Sequence, residues 1–313
     1  MMFHNDPLRF REISAGYRKH RVLDGLSLTI PRGSICALLG RNGAGKTTLL
    51  RTALGFLKPK AGHIEVLGYD AWKSRYELKD RIGFVAERQD LWPRMRAGEL
   101  LALASKLFTR WDHDQAQDLV DRYGLPLDRR IGGYSKGMQV QLAQVVALAH
   151  NPELLILDEP VSSMDPVIRT EFTEHVLRYV HDTGATVVYS THLVDEVESL
   201  ANRVAFLYGG QIILEGSVDE ILEQYTRVLI VTGEETKKGV ATLKPVAVHR
   251  QEGVAAATFA SPIATVEGQL KECSIGVLEI RKPSLQELFI ALLGEDNPLR
   301  NGSHAARSTS EVA

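Results

Sequence analysis

Short apolar runs with few charges recur through the first two thirds of the chain. Such runs are typical of strands in a parallel sheet that helices cover on both faces. Helical patterns lie between them, which predicts an α/β domain. The runs that define the sheet are GSICALLG (33–40), RIGFVAE (81–87), ELLILDEP (153–160) and TVVYSTH (186–192).

Two further patterns refine this domain. Residues 94–150, between the second and third runs, have helical periodicity in GELLALASKLF and LVDRYGL, and we expect a helical insertion there. The segment RVAFLYGGQIILEG (203–216) predicts a hairpin, because its two glycines can supply positive φ at the turn.

Composition changes after about residue 225, which indicates a second domain. Residues 225–294 contain the strand-like pieces RVLIV, VAAATFA and GVLEIRK. The helical pieces PIATVEGQLKEC and PSLQELFIALL each open with Ser and Pro at positions that favour a helix start. We therefore expect a first domain over 1–224, an accessory α+β domain over 225–294, and a disordered polar tail over 295–313.

Composition and charge narrow the function classes. The chain has 313 residues, 44% hydrophobic and 24% charged, which is ordinary for a soluble globular protein. Its formal net charge of -2 gives no argument for nucleic acid or for an anionic membrane surface. Cys36 and Cys273 fit no metal spacing and exclude a disulfide framework, which suits a reducing cytosol. We find neither a signal peptide nor an apolar run of the ~20 residues that span a bilayer, so any membrane role requires a partner.

The segment GRNGAGKTT (40–48) follows an apolar strand and fits the phosphate-loop pattern G-x-x-x-x-G-K-[ST]. Backbone N–H groups of such a loop wrap phosphates, and the following helix adds its dipole. Lys46 would reach the β- and γ-phosphates, and the Thr47 hydroxyl would ligate Mg²⁺. An unrelated glycine-rich turn is the alternative, although chance seldom produces this pattern between a strand and a helix. The predicted nucleotide-binding residues are Gly40, Arg41, Asn42, Gly43, Ala44, Gly45, Lys46, Thr47 and Thr48.

Two acids, Asp158 and Glu159, end the apolar run LLILDEP. Because ligands bind at the carboxyl ends of parallel strands, we expect both acids beside the phosphate loop. Asp158 can hold Mg²⁺ through its water shell, and Glu159 is placed to orient or deprotonate the attacking water. The alternative is a pair of solvated acids at an exposed strand end. With the phosphate loop upstream, the pair favours hydrolysis over binding alone.

His192 ends the next strand-like run, YSTH, and precedes the acidic helical segment LVDEVESL. A lone histidine is more often structural than catalytic, and capping that helix is the alternative here. Its position beside two strand ends that already carry chemistry favours contact with the γ-phosphate.

The order of these segments over residues 8–221 resembles the nucleotide-binding subunits of ABC transporters. An aromatic residue, Tyr17, precedes the phosphate loop; a Q-loop region, GFVAERQD, and a signature segment, YSKGM (134–138), follow it. The Asp-Glu strand, a D-loop (SSMDP) and the switch histidine complete the order. The resemblance implies an α/β P-loop NTPase core with an antiparallel β subdomain, and ATP and Mg²⁺ as cofactors.

The resemblance also implies roles for residues outside the phosphate loop. Tyr17 would stack on adenine, and Asp165 would cross a dimer interface. Ser135 and Gly137 would contact the γ-phosphate of an ATP held by the opposite subunit. Lys136 stands in the first turn of the following helix, where the helix dipole disfavours a cation. We expect the partner's triphosphate to be its anion in the closed dimer.

Three features depart from the family pattern. The Q-loop glutamine falls at Glu87, whose carboxylate can approach Mg²⁺ or the attacking water but adds negative charge there. Gln89, two residues on, could share a strand face with Glu87. The family signature LSGGQ is YSKGM here, and Gln141 stands where an arginine often follows.

The YSKGM form is similar to the branch whose partners are ABC-2-type membrane proteins, mostly exporters. The ending KPSLQELFIALLG is similar to that branch's accessory domain, with a plain amphipathic helix as the alternative. The resemblance implies a peripheral homodimer or heterodimer on the cytoplasmic face of the membrane, which closes on ATP and moves separate polytopic subunits. The expected contact surface is 88–97, whose Trp92 and Met95 could instead pack into the core.

A soluble ABC-type ATPase acting on ribosomes or nucleic acid is the competing hypothesis. Ribosomal members usually carry two cassettes in one chain, whereas this chain has one. DNA-repair members split the cassette with a coiled coil, and no sustained heptads occur here. No nucleic-acid partner is therefore expected. A P-loop kinase or GTPase would explain neither YSKGM nor His192.

Overall fold

The computed structural model describes residues 6–161, 166–231, 239–240, 242–251, 253–273 and 276–294. The chain divides into two compact units between Glu215 and Gly216, earlier than the boundary expected at 224. We assigned residues 216–224 to the first domain because the composition changes only after about residue 225, but these residues belong to the second unit. Two sequence predictions, the role of Asp165 and the disordered tail over 295–313, lie outside the described residues.

The strands of the first unit form two sheets. They are β1 (Leu8–Tyr17), β2 (His20–Ile30), β3 (Ile35–Leu39), β4 (Ala61–Val66), β5 (Tyr69–Asp70), β6 (Ile82–Val85), β7 (Leu154–Asp158), β8 (Thr186–Thr191), β9 (Arg203–Tyr208) and β10 (Gln211–Ser217).

Seven described helices surround these sheets. They are α1 (Lys46–Ala53), α2 (Arg75–Leu78), α3 (Ala97–Leu107), α4 (His113–Tyr123), α5 (Lys136–Leu148), α6 (Pro166–Thr183) and α7 (Val194–Leu200).

The larger sheet has the strand order β10-β9-β3-β8-β7-β6, and its pairs β3–β8, β3–β9, β7–β8 and β6–β7 are parallel. Each apolar run predicted as a strand is one of these strands. Every residue of β3, β7 and β8 is buried, as expected when both faces of a parallel sheet are covered. The hairpin is also confirmed, with positive φ at Gly209 and Gly210 between β9 and β10.

The smaller sheet has the order β2-β1-β4-β5 with antiparallel pairs throughout, which confirms the expected antiparallel β subdomain. Its buried apolar side chains, among them Phe10 and Ile13, belong to the hydrophobic core of this unit. The β1–β2 turn pairs Tyr17 with His20, and this turn therefore fixes where Tyr17 stands.

The predicted helical insertion contains α3, α4 and α5 and a short 3₁₀ turn, Ile131–Gly133. Backbone hydrogen bonds join its entry to the segment before α5. The amide of Ile131 donates to the Met95 carbonyl at 2.9 Å, and the Gly132 amide donates to the Pro93 carbonyl at 2.9 Å. The chain that follows the Q-loop region and the chain that begins the signature are therefore held together.

The second unit has a four-stranded antiparallel sheet in the order β12-β13-β11-β14. Three of its strands are the predicted strand-like pieces, whereas β12 was not predicted because its segment, AVHRQ, carries polar residues at three of five positions. Both predicted helices are present. The elements are α8 (Val218–Gln224), β11 (Thr226–Val231), β12 (Ala247–Gln251), β13 (Val254–Phe259), α9 (Ile263–Glu272), β14 (Val277–Arg281) and α10 (Leu285–Leu293).

The start of α10 illustrates the predicted helix signal. The Ser284 hydroxyl accepts a hydrogen bond from the Glu287 amide at 3.2 Å, and the Glu287 carboxylate accepts one from the Ser284 amide at 2.9 Å. This capping box satisfies two amides at the helix start. The hydrogen bonds from Arg281 lower the pKa of Glu287 to about 2.

The state of the cysteines and the character of the helices bear on the class of protein. Cys36 and Cys273 are both free thiols, and burial raises the pKa of the Cys36 thiol to about 12. Among the residues described, no helix combines the length and the apolar character needed to cross a bilayer.

Candidate nucleotide-binding and hydrolysis site

The phosphate loop turns sharply between β3 and α1. Gly45 has φ +111°, a conformation that side chains disfavour, and a Cβ there would lie 2.9 Å from Leu23 Cδ2. A Cβ on Gly40 would lie 2.7 Å from the Leu207 carbonyl oxygen. Glycine is therefore required at both positions. The first turn of α1 carries no acidic side chain, so its free amides are available to an anion.

Lys46 is the first residue of α1 and is only 6% exposed. Its ammonium group donates a hydrogen bond to the Gly40 carbonyl at 2.7 Å and lies 3.1 Å from Glu159 Oε1. A buried lysine next to the loop amides supplies the positive charge that a triphosphate requires.

Asp158 ends β7 and is buried. Its Oδ1 accepts hydrogen bonds from Thr47 Oγ1 at 3.1 Å and from Ser190 Oγ at 2.6 Å. The pairing of β7 with β8 causes this contact, because Asp158 stands directly opposite Ser190 in the register. The strand ends and the phosphate loop therefore meet as the sequence predicts.

Glu159 leaves β7 in the left-handed region, with φ +48°. Its amide donates hydrogen bonds to Ser190 Oγ at 3.0 Å and to the Ser190 carbonyl at 3.1 Å, and these bonds hold the unusual backbone in place. The buried carboxylate lies between Lys46 and His192. The alternative of solvated acids at an exposed strand end is wrong, because Asp158 and Glu159 are both buried.

His192 follows β8 directly, and its Nδ1 lies 2.8 Å from Glu159 Oε2. It does not cap α7. The residue before that helix is Leu193, whose amide donates to Thr191 Oγ1 at 3.0 Å. The capping alternative is therefore wrong, and the ring stands beside the carboxylate that carries the predicted chemistry.

Of these residues, Gly45, Lys46, Thr47, Glu159 and His192 line one cleft of about 460 Å³. Asp158 and Ser190 do not line it but are hydrogen-bonded to Thr47 and Glu159, which do. Glu87 also lines this cleft, which places the Q-loop carboxylate beside the predicted catalytic groups. The full lining is Val22, Arg41, Asn42, Gly43, Ala44, Gly45, Lys46, Thr47, Thr48, Glu87, Glu159 and His192.

Tyr17 lies in a neighbouring groove of about 720 Å³ that also reaches Thr47 and Asp158. Its ring is 43% exposed, and its hydroxyl accepts a hydrogen bond from Arg51 at 3.2 Å. The ring is therefore accessible to a flat ligand group. Arg51 was not predicted, because a lysine or arginine on an exposed helix face carries no sequence signal of its own.

The Q-loop region differs from one expectation. Strand β6 ends at Val85, so Glu87 and Gln89 are not on a strand and do not share a strand face. The Gln89 side-chain amide donates instead to the Ala86 carbonyl. Glu87, the residue favoured from the sequence, is the one that lines the cleft.

The signature residues stand apart from the cleft of their own chain. Ser135 caps α5 by accepting a hydrogen bond from the Met138 amide at 3.2 Å, and Lys136 is the first helical residue, as predicted. A Cβ on Gly137 would lie 3.6 Å from Ile168 Cδ1, an ordinary contact. Nothing described within the chain therefore requires glycine at this helical position.

Two residues of the expected contact surface remain accessible. Trp92 is 58% exposed and Met95 is half-buried. The alternative that both pack into the core is therefore wrong for Trp92.

Ser190 is a second site residue, besides Arg51, that the sequence analysis missed. Its hydroxyl donates to Asp158 and accepts from the Glu159 amide, so one side chain orients both acids. A polar residue inside the apolar run TVVYSTH was the available signal, but its meaning depends on the β7–β8 register.

The oxygen atoms at the cleft fit Mg²⁺. The Thr47 hydroxyl and the Asp158 carboxylate lie 3.1 Å apart at the end of the phosphate loop. Mg²⁺ prefers oxygen donors, and in nucleotide sites it takes one or two protein ligands in addition to phosphates and water. In the described part of the chain, no group of three or more His, Cys, Asp or Glu side chains could hold a metal ion.

Comparison with known proteins identifies the family of the chain. The ABC transporter family model matches residues 23–162. The chain is 32% identical to the daunorubicin resistance ATP-binding protein DrrA3 of Streptomyces coeruleorubidus over 303 residues, covering 92% of this chain and 96% of that protein. It is similar to a solved ATP-binding subunit of an ABC transporter, with 26% identity and a TM-score of 0.64 over 69% of this chain and 92% of that one.

A second solved structure shares the fold. It is a dimeric ATP-binding cassette in a post-hydrolysis state bound to ADP and Pi, with 21% identity and a TM-score of 0.61. The similarity covers 67% of this chain and 98% of that one.

The parallel sheet, with the phosphate loop and the two acids at its carboxyl edge, defines the class: the chain is a P-loop ATPase. Within that class it belongs to the family of ABC transporter ATP-binding proteins. It binds and hydrolyses ATP as the subunit that powers an ABC transporter. These relatives favour that function over a soluble ATPase acting on ribosomes or nucleic acid.

Proposed function

We propose that the chain drives export through separate membrane subunits, by closing as a dimer around ATP and reopening after hydrolysis. The observation that carries the catalytic part of this proposal is the environment of Glu159, whose buried carboxylate lies between Lys46 and His192 at the edge of the phosphate cleft. The relative named for daunorubicin resistance supports export as the direction of transport.

Glu159 is the proposed general base. When a triphosphate enters, its oxygens compete for the Lys46 ammonium group and for the His192 ring, which both contact Glu159. The carboxylate is then free to take a proton from the attacking water. Lys46 neutralises the β- and γ-phosphates, and His192 contacts the γ-phosphate.

Thr47 and Asp158 would hold Mg²⁺, which when bound neutralises charge on the transferred phosphoryl group. Glu87 faces the same cleft and can approach the water or the metal. Arg41, Asn42, Gly43, Ala44 and Thr48 hold the phosphates with their backbone amides, and Tyr17 stacks on adenine with its exposed ring.

The dimer completes the site. Ser135, Lys136 and Gly137 do not line the cleft of their own chain, so they are free to contact an ATP held by a partner. The dimeric cassette with the same fold supports this arrangement. Asp165 is proposed to cross the interface, and the partner is a second copy or a related subunit.

The membrane subunit is a separate polytopic protein, and this chain lies against it on the cytoplasmic face. The proposed contact is the apolar part of the groove that Tyr17 also lines, with Tyr17 itself left to adenine, together with the exposed Trp92 and the half-buried Met95. The groove includes the apolar side chains of Phe56, Leu57, Phe84 and Leu91, which suit a short amphipathic helix.

The variant Glu159→Gln tests the catalytic part. We expect it to bind ATP but to lose about 10²- to 10⁴-fold in hydrolysis rate, the usual contribution of a general base, and to accumulate ATP-bound dimers. Glu153→Gln is the control, because it removes a carboxylate at the opposite end of β7. Turnover of the Glu159 variant at the wild-type rate would show that Glu159 is not the base.

Co-purification tests the membrane part. Mild detergent extraction of membranes should recover the chain with a polytopic protein, and Trp92→Ser should reduce that recovery without changing ATP hydrolysis by the isolated chain. Recovery with ribosomes or nucleic acid instead would contradict the proposed transporter function.

A further inference from the structure

Glu87 and Lys136 are charged residues of opposite sign that stand where the family pattern has glutamine and glycine, and both line one cavity. This cavity has a volume of about 440 Å³ and lies between the end of β6 and the start of α5. Glu87 also lines the nucleotide cleft, so it forms the wall that the two spaces share. The cavity lining is Glu87, Arg88, Gln89, Asp90, Lys136, Gln139 and Val140.

The backbone fixes the base of this cavity. The chain that follows Glu87 and the chain that precedes Lys136 are joined by the hydrogen bonds Ile131 to Met95 and Gly132 to Pro93. The Gln139 side chain adds a hydrogen bond to the Tyr134 carbonyl at 3.4 Å. The two segments are therefore joined near the cavity, whereas the side chains of Glu87 and Lys136 are both exposed and can move.

The charges across the cavity are complementary. Lys136 is the first residue of α5, and the first turn of that helix has no acidic residue to offset the dipole. The carboxylates that share the cavity are Glu87 and Asp90, and Arg88 is the other cation. Within the described residues, no hydrogen bond or ion pair joins Lys136 to either carboxylate. The attraction therefore acts across the cavity and weakens with salt.

We propose that Glu87 and Lys136 form a matched charge pair that positions the signature helix in both states of the dimer. In the open state Glu87 attracts Lys136 of the same chain. When the partner is a second copy of this chain, closure brings Lys136 to the partner's triphosphate, beside the Glu87 of that copy. The inference rests on the ATP-driven dimer proposed above, and it makes Lys136 and Glu87 positioning residues as well as site residues.

This pairing explains two of the departures from the family pattern, the charges at Glu87 and Lys136, by one physical cause. A carboxylate at Glu87 alone would add negative charge beside Glu159 and the triphosphate. A cation at Lys136 alone would oppose the dipole of α5. Each charge offsets the penalty of the other.

A double-mutant cycle in the Glu159→Gln chain tests the pair. The measurement is the ATP concentration that gives half-maximal dimer for Lys136→Met, Glu87→Gln and the double variant. We expect Lys136→Met to raise this concentration about fivefold, and less than about twofold when Glu87 is already glutamine, a coupling in the usual range for charge pairs. The coupling should shrink at high salt.

Asp90→Asn is the matched control, because Asp90 lines the cavity but not the nucleotide cleft. Its cycle with Lys136→Met should be additive. Additive effects for Glu87 would overturn the contribution of the pair in the closed dimer, and equal coupling for Asp90 and Glu87 would overturn the pairing of Lys136 with Glu87 in particular.

If the Glu159→Gln chain itself forms no dimer with ATP, the homodimer fails and the pair is tested in the single chain. Glu87→Gln should then speed amide hydrogen exchange at Met138 and Gln139 about twofold without ATP, since the start of α5 loses its counter-charge. Asp90→Asn should change this exchange less. Unchanged exchange in Glu87→Gln would overturn the open-state contact.

Discussion

The phosphate cleft and the start of the signature helix are two half-sites built in opposite ways. In the cleft, Lys46, Asp158, Glu159 and Ser190 are buried, and each is bonded to another member of the site. At the signature, Lys136 is exposed and has no bonded partner among the described residues. The first half-site is complete within one chain, whereas the second depends on something outside it.

The glycines show the same difference. Gly40 and Gly45 meet backbone or side-chain atoms closer than any Cβ could approach, so their own chain explains them. Gly137 lies in a helix, where glycine costs about 1 kcal/mol relative to alanine, and the neighbours described leave room for a Cβ. An approach from a partner's nucleotide would supply the missing reason.

Among the variants that test this difference, Lys46→Met should have the largest effect on ATP binding, because it removes the only buried cation of the complete half-site described here. We expect ATP affinity to fall about 10- to 100-fold, the value of one or two charge-assisted hydrogen bonds. The measurement is a titration with a fluorescent ATP analogue. Lys58→Met is the control, since Lys58 lies over the Trp72 ring away from the cleft. Equal losses in the two variants would contradict the role of Lys46.

Ser190→Ala should give an intermediate effect, because one hydroxyl orients both acids. We expect kcat to fall about tenfold through misplacement of Glu159, and stability to fall by about 1 kcal/mol. Thr186→Val is matched to it, since Thr186 begins the same strand and accepts a hydrogen bond from the Gly33 amide at 2.9 Å. That control should lose stability but keep kcat; a parallel loss of kcat would assign Ser190 to folding alone.

Ser135→Ala should give the smallest effect, and it tests the half-site at the start of the signature helix. Loss of the cap should lower stability by about 1 kcal/mol, whereas Ser135→Asn should keep it. Both variants should raise the ATP concentration for dimer formation about fivefold, because both remove a hydroxyl that contacts the partner's phosphate. If asparagine restores dimer formation along with stability, Ser135 acts only as a helix cap.

The sequence predicted the parts of the molecule that depend on local pattern. The four apolar runs, the glycine hairpin at Gly209 and Gly210 and the helix that starts at the Pro-Ser pair before Leu285 follow from periodicity and turn chemistry, and the structure confirms them. The order of motifs also predicted which side chains share the cleft, since strand ends of a parallel sheet meet at one edge.

Features that depend on register and cavity shape could not be predicted. Ser190 matters because β7 and β8 pair so that it stands opposite Asp158. Gln89 turns back to Ala86 because β6 ends early, which no pattern in GFVAERQD indicates. The cavity that Glu87 shares with the nucleotide cleft is lined by two segments about fifty residues apart in the chain. Local periodicity does not show that such distant segments lie side by side.

The left-handed backbone at Glu159 sets the stability of this chain against its catalytic activity. A residue with a long side chain in that region is strained by about 1–3 kcal/mol, and asparagine or glycine would sit there more comfortably. A laboratory selection for thermal robustness alone would therefore favour replacing the residue that performs the chemistry. Any such screen therefore needs an ATP hydrolysis assay beside it, because it would otherwise enrich stable proteins that no longer hydrolyse ATP.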